Sequence, residues 1–220
     1  MKKYSAAFNL KHKFPGLDAI QQNYSQTFQD MFVLTMLNGK RDGTFLEIGA
    51  SDPIELSNTY LLETLFGWHG ISIEMSKYYE EGHRLKRTNT FMLEDALKLD
   101  YTAILATYPK QIDYLQIDID PSIQSFNCLS ILPLSTYRFS VITFEHDVYR
   151  GENGPYVRTA SRTIFERSGY VLIAGNISNE SHADVYEDWW VDPTAVDPKL
   201  IEMFKRTGDA NIPGDELLAA

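Results

Sequence analysis

The chain has 220 residues, 44% of them hydrophobic, which suffices for one domain with a full hydrophobic core. Its formal net charge is −10 at pH 7, and such an acidic surface repels phosphate backbones, so we expect no nucleic-acid partner. The single cysteine, Cys128, cannot form an internal disulfide and favours a reducing, cytoplasmic location. No apolar run approaches the roughly 20 residues of a membrane-spanning helix.

The predicted elements alternate between helices and strands along the chain. We expect a helix over 27–37 with Ser25 as its N-cap, followed by a strand over 44–49 and a helix over 58–66. Further strands are expected over 71–74, 90–93, 113–120, 139–145 and 170–174, a helix over 156–167, and a closing strand over 187–191. This alternation predicts right-handed βαβ units and an α/β fold with a mostly parallel sheet.

We divide the chain into an N-terminal arm or lid over 1–23, a main domain over 24–197, and a C-terminal helix and tail over 198–220. The end of the tail is expected to be loose. Parallel sheets bind ligands beyond the carboxyl ends of their strands. The functional residues should therefore lie near positions 49, 74, 95, 118 and 145.

The turn after the first strand contains one glycine, Gly49, which lets a ligand approach the backbone closely. A dinucleotide fingerprint needs two further glycines, whereas here Ser51, Asp52 and Pro53 follow. Carboxylates at this turn repel phosphate. We therefore predict a ligand that is a positively charged nucleoside without phosphates. S-adenosylmethionine (SAM) meets this description, and Glu47 and Asp52 would face its sulfonium and amino groups.

Two further acids follow the next strands. Glu74 lies 25 residues after Gly49 at the end of a strand, the place from which an acid usually binds ribose hydroxyls. Asp95 follows the third predicted strand and could meet the adenine edge. The structural alternatives are a surface acid for Glu74 and a solvated turn for Asp95.

A second acidic group follows the fourth and fifth strands. Asp118 and Asp120 alternate with apolar residues and so share one face. If SAM is the ligand, the reaction is transfer of its methyl group, and transfer to a hydroxyl requires that the hydroxyl proton be removed or polarised. His146 or Asp120 can remove it as a general base. Alternatively, a divalent ion such as Mg²⁺ lowers the pKa of the hydroxyl. Its predicted ligands are Asp118, Glu145 and Asp147.

These residues also have structural interpretations. The acids can cap strands and pair with Arg138 or Arg150, and His146 can be a hydrogen-bonded structural residue. The polar loop over 176–184 is expected to contact the acceptor, the molecule that receives the methyl group, because loops at this edge of the sheet usually determine which molecule binds.

Several motifs together resemble one family. They are Ser25-Gln26, Gln29-Asp30, Phe45-Leu46-Glu47-Ile48-Gly49-Ala50, Ser57-Asn58-Thr59 with Leu62-Glu63, and Gly67-Trp68-His69-Gly70-Ile71 continuing to Glu74. This pattern is similar to that of the FkbM-type methyltransferases, and it is dense over 25–76. The resemblance implies a SAM-dependent O-methyltransferase of the class I fold, with a Rossmann-like seven-stranded sheet flanked by helices.

The resemblance also implies site residues. The methionine side of the cofactor would take Glu47, Gly49 and Ser51, the ribose Glu74, and the adenine Asp95, and Asn58 joins this cofactor-binding set. The sequence departs from the family at Pro53, where a second glycine is usual. The acids of the fourth and fifth strands look more like those of the metal-assisted sugar O-methyltransferases of macrolide pathways.

The resulting hypothesis is a SAM-dependent O-methyltransferase that acts on a hydroxyl of a sugar or glycan-linked small molecule, assisted by a general base, a divalent metal or both. Two alternatives remain open. One is a nicotinamide-dependent oxidoreductase on the same kind of sheet, and the other is a non-catalytic binding module.

Overall fold

The computed structural model describes residues 9–151 and 153–220. Within these ranges, seven strands form one sheet in the order β3-β2-β1-β4-β5-β7-β6. The strands are β1 Thr44–Ile48, β2 His69–Glu74, β3 Thr90–Leu93, β4 Gln111–Ile117, β5 Arg138–Glu145, β6 Val171–Ser178 and β7 Val185–Val191. Strands β1 to β5 are parallel, and β7 runs antiparallel to both β5 and β6. The predicted α/β fold with a mostly parallel sheet is confirmed.

Helices flank this sheet. The α-helices in the described part of the chain are α1 Gln29–Met36, α2 Tyr60–Phe66, α3 Glu80–Lys86, α4 Tyr101–Ile104, α5 Ser122–Ile131, α6 Gly154–Arg167, α7 Pro198–Phe204 and α8 Gly214–Leu218. None of the described helices is long and apolar enough to cross a membrane.

The buried apolar residues form two clusters that share the strands of the sheet. Phe45 of β1 belongs to the cluster that contains α1, α2 and α8, whereas Leu46 and Ile48 belong to the cluster that contains residues of α5 and α6. Successive side chains of a strand point to opposite faces. A strand covered on both faces is therefore rich in apolar residues, as β1 is at Phe45, Leu46 and Ile48.

The C-terminal tail packs into the core, so the expectation of a loose tail is wrong. Leu217 and Leu218 of α8 are fully buried, and the Lys11 N–H donates to the Leu218 carbonyl at 2.9 Å. Leu10 of the predicted arm is buried and bridges to Ala219. Residues 1–8 of the predicted arm lie outside the described residues.

Several boundaries differ from the sequence prediction; β6, for example, continues to Ser178, so the predicted polar loop over 176–184 begins only after it. Two of the differences bear on the site. Helix α1 begins at Gln29, so Ser25 is not its N-cap; the Ser25 hydroxyl donates instead to Asp30 Oδ1 at 2.6 Å. Strand β4 ends at Ile117, which leaves Asp118 and Asp120 in the following loop. These aspartates are therefore freed from the strict alternation of a strand.

Candidate active site

A cleft of about 570 Å³ lies at the carboxyl ends of β1 to β4. Its walls come from the loops that follow these four strands. Four of the predicted cofactor-binding residues line it: Gly49, Ser51, Glu74 and Asp95. The cleft is thus at the sheet edge that the sequence indicated.

Gly49 is required by the close approach of two loops. Its φ is +80°, and its N–H donates to the Ile73 carbonyl at 2.9 Å. A Cβ at this position would lie 1.7 Å from the backbone oxygen of Asp118. Only glycine fits here without displacing the loop after β4.

The Glu74 carboxylate connects two of the loops. Its Oε2 accepts from the Ser51 N–H at 2.9 Å, and its Oε1 accepts from the Ser76 N–H at 2.7 Å. A carboxylate has about four acceptor sites, so two stay available for ligand hydroxyls. Met75, next in the chain, lines the cleft and is 71% exposed. This apolar side chain is available to cover one face of a bound ring.

Asp95 lines the cleft but its carboxylate is already engaged. Oδ1 accepts from the Leu97 N–H at 3.0 Å, and Oδ2 lies 3.0 Å from Lys98 Nζ. The hydrogen bond from Lys98, together with that from the Leu97 N–H, lowers the pKa of Asp95. This geometry corresponds to the alternative of a solvated turn, and the adenine contact stays a prediction.

Glu47 is not among the residues that line the cleft. It is 1% exposed, and its carboxylate accepts from Thr59 Oγ1 at 2.8 Å and from Ser72 Oγ at 2.5 Å. Asp52 Oδ1 likewise accepts two N–H groups of its own turn, those of Ile54 and Glu55. The structure therefore gives both acids a role in shaping the loop, and it does not bring Glu47 to the cleft as expected.

Asn58 retains an unused group. It is 8% exposed, and its Oδ1 is buried without a hydrogen-bond partner. Buried polar atoms are seldom left unpaired. Asn58 lies just before α2 and is not among the residues that line the cleft, so its contact with a cofactor stays a prediction.

A second pocket of about 220 Å³ adjoins the cleft, because Asp118 and Asp120 line both. Glu145 and Asp147 also line it, so the structure brings together the four acids predicted from the ends of the fourth and fifth strands. Arg150 closes one side: its Nη1 contacts Asp120 and lies 3.2 Å from Asp147 Oδ2. The expected pairing with Arg150 is thus present, whereas Arg138 pairs with Asp192 at 2.6 Å.

Burial and mutual repulsion raise the pKa values of three acids of this pocket. Burial raises the pKa of Asp118 to about 6. Burial, together with the charges of Asp118 and Asp147, raises the pKa of Glu145 well above its usual range. Burial also raises the pKa of Asp147, although Glu145 and Arg150 oppose this. The three carboxyl groups are therefore harder to ionise than carboxyls in water.

His146 is fully buried and does not line either cavity. Its Nδ1 accepts from the Val148 N–H at 3.3 Å, so its Nε2 carries the hydrogen and faces Asp188 Oδ1 at 3.3 Å. Arg162 binds the other oxygen of Asp188 at 2.6 Å. Both ring nitrogens are engaged, which is the structural alternative for this residue and corrects its expected role as general base.

Several pocket residues were not singled out from the sequence. Gln26 and Tyr186 line the second pocket. Gln26 belongs to the Ser25-Gln26 motif but was given no role in the site, and Tyr186 stands in none of the motifs. Asn179 and Asp184 line it too, within the polar loop that was expected to contact the acceptor. Met75 could have been found from its position directly after Glu74.

The architecture resembles that of known methyltransferases. An O-methyltransferase from Bacillus cereus in complex with SAH, the demethylated product of SAM, matches with 19% sequence identity. The match covers 75% of this chain and 79% of that chain, at a TM-score of 0.55. The chain has the class I methyltransferase fold. The position of β7 agrees with this, since a dinucleotide-binding sheet has the order 3-2-1-4-5-6 without an antiparallel strand inserted.

Weaker matches include a SAM-dependent methyltransferase from Aquifex aeolicus, with 13% identity over 75% of this chain and 92% of that chain and a TM-score of 0.49. Another is a TehB-like SAM-dependent methyltransferase from Corynebacterium glutamicum, with 12% identity, coverages of 80% and 91%, and a TM-score of 0.47. No family model and no curated protein matches the sequence.

Proposed function

We propose that the chain is a SAM-dependent O-methyltransferase that methylates a hydroxyl of a sugar or glycan-linked small molecule. The observation that carries this proposal is the pair of adjoining cavities with Asp118 and Asp120 in their common wall. A cofactor in the larger cavity and an acceptor in the smaller one would meet at these carboxylates. The resemblance to the FkbM-type family adds support.

The residues of the larger cavity fit the cofactor. Glu74 has acceptor sites left for two ribose hydroxyls, and Gly49 lets the ligand approach the backbone. Acids rather than phosphate-binding N–H groups dominate the walls, which suits a positively charged nucleoside.

The smaller cavity suits a polar acceptor. Its lining is rich in carboxylate, amide and phenol groups, the partners that sugar hydroxyls require. Its acids would also repel a polyanion. We therefore place a hydroxyl-bearing small molecule there rather than RNA or DNA.

The proton of the acceptor hydroxyl needs a base at the junction of the two cavities. When bound, SAM supplies a methyl group on a positively charged sulfur, and the carbon–sulfur bond breaks as the acceptor oxygen bonds to the methyl carbon. Asp118 is best suited to take the proton, because its pKa of about 6 leaves it ionised at pH 7 yet basic. Asp120, the base expected from the sequence, is exposed and bound to Arg150.

A divalent ion at Asp118, Glu145 and Asp147 does not fit the arrangement of these side chains. Among the described residues, no three His, Cys, Asp or Glu side chains are placed to hold a metal ion. Asp147 is bound to Arg150, and burial raises the pKa of Glu145. We therefore derive no step through a metal.

Calorimetry with SAM and SAH tests the cofactor. We expect dissociation constants in the micromolar range for wild type and about tenfold weaker binding for Glu74→Gln, which loses the charge but keeps one acceptor oxygen. Glu81→Gln, an exposed acid of α3, is the matched control and should bind like wild type. Absence of binding to both compounds would end the proposal.

Transfer of a labelled methyl group to a library of sugars and other hydroxyl compounds tests the reaction. Asp118→Asn should lose most of the activity while keeping its affinity for SAH. An RNA transcript included in the library should stay unlabelled. Cofactor binding without transfer to any acceptor would favour the non-catalytic module instead.

A further inference from the structure

His83 lies behind the cofactor-binding loop and contacts it directly. The residue is in α3, is 1% exposed, and its ring stacks on Phe91 of β3 with centroids 4.4 Å apart and an interplanar angle of 16°. Its Nε2 lies 3.0 Å from the carbonyl oxygen of Ser51. Because a carbonyl oxygen only accepts, Nε2 carries the hydrogen and donates it.

Ser51 has a backbone conformation that needs support. Its φ is +50°, in the left-handed region that is unfavourable for a residue with a side chain. Its N–H donates to Glu74 and its carbonyl accepts from His83. The two polar backbone groups of Ser51 are thus held by side chains from two different elements.

The same contacts determine where Glu74 can lie. Its Oε2 is fixed by Ser51, and the Ser51 peptide is fixed in turn by the imidazole of His83. The stacking on Phe91 prevents rotation of the ring. Loss of the imidazole N–H would release the Ser51 carbonyl and, through the Ser51 N–H, the ribose-binding carboxylate.

We propose that His83 is a positioning residue of the cofactor site, which holds the loop after β1 in the conformation that presents Ser51 and Glu74 to the nucleoside. This inference rests on the proposed function. The hydrogen bonding of the His83 ring is made through Nε2 alone, since Nδ1 is buried without a partner. A group that donates from the position of Nε2 should therefore replace it.

The test compares His83→Leu, which fills a similar volume without a donor, with His83→Gln, whose amide N–H₂ lies near the position of Nε2. We expect calorimetry with SAH to give a dissociation constant about five- to tenfold higher for His83→Leu and within about twofold of wild type for His83→Gln. Thermal unfolding without ligand should show that both variants are folded at the temperature of the titration, so that a change in affinity is not a loss of folded protein. A merely structural role would lower the unfolding temperature and leave the affinity of both variants unchanged.

A second measurement needs no variant. Nitrogen-15 NMR of histidine-labelled wild type should show His83 as the neutral tautomer with hydrogen on Nε2, and hydrogen on Nδ1 alone would overturn the inference. Wild type that binds SAH while His83→Leu binds it equally well also overturns this inference and leaves the proposed function intact. Wild type that does not bind SAH overturns both.

Discussion

The close contact at Gly49 makes a quantitative prediction. In Gly49→Ala, the new Cβ would start 1.7 Å from the Asp118 carbonyl oxygen, whereas real Cβ contacts are essentially never under 3.0 Å, so the two loops must separate by about 1.3 Å. Such overpacking costs about 1–3 kcal/mol. The left-handed backbone costs an alanine about 1–2 kcal/mol more. We expect the free energy of unfolding to fall by about 2–5 kcal/mol.

Gly169→Ala is the matched control. Gly169 has the same φ of +80°, but a Cβ there meets no atom within 4 Å. Urea unfolding should therefore show only the backbone cost of about 1–2 kcal/mol. SAH affinity should be lost in Gly49→Ala, because Asp118 and Ser51 move apart, and kept in Gly169→Ala. Equal losses of stability in the two variants would refute the argument from the contact with Asp118.

Three further predictions concern the buried charges and the metal. Arg87→Met should lower the free energy of unfolding by about 3–5 kcal/mol, since it leaves the buried carboxylate of Glu63 unpaired. Arg84→Met, the control, removes an exposed ion pair and should lower it by less than about 0.5 kcal/mol. Equal losses of the two variants in urea unfolding would contradict this. Burial raises the pKa of Glu187 from 4.5 to about 8, so between these pH values the unfolded state binds fewer protons than the folded state. The free energy of unfolding should therefore fall as the pH rises through this range. Glu187→Gln should abolish this pH dependence in unfolding measurements from pH 5 to 9, and an unchanged dependence would show that another group causes it. Treatment with a chelator should leave methyl transfer unchanged, and loss of activity that Mg²⁺ restores would instead support the metal predicted from the sequence.

The sequence predicted the elements more reliably than the directions of side chains. Alternation of apolar segments gave every strand of the sheet to within a few residues, because most strands are buried on both faces and bounded by turn residues; the edge strand β3 is only partly buried. Local sequence patterns did not predict that β7 lies between β5 and β6 in the sheet. This order depends on which strand of the β6–β7 hairpin pairs with β5. Four acids at the second pocket were correctly grouped, because carboxyl ends of adjacent parallel strands meet at one edge.

The roles of individual polar residues were harder to predict. Glu47 and His146 both stand next to the expected site in sequence, yet their partners, Ser72 and Asp188, come from distant segments. Those partners decide whether a side chain faces a ligand or the interior, and a single sequence does not show them. Arg150 was noticed only as an ion-pair partner because its place between two acids depends on the turn after β5.

The hydrogen bonds of Glu47 have a consequence for sequence change. Its two carboxylate oxygens are satisfied by Thr59 and Ser72, and Thr59 also accepts a hydrogen bond from Arg87. Replacing one member strands the polar atoms of the others in the interior, and Arg87 extends the network to the buried Glu63 carboxylate. Descendants of this chain should therefore keep or exchange these positions, Glu63 included, as a set, and statistical covariation among them should exceed that of neighbouring core positions.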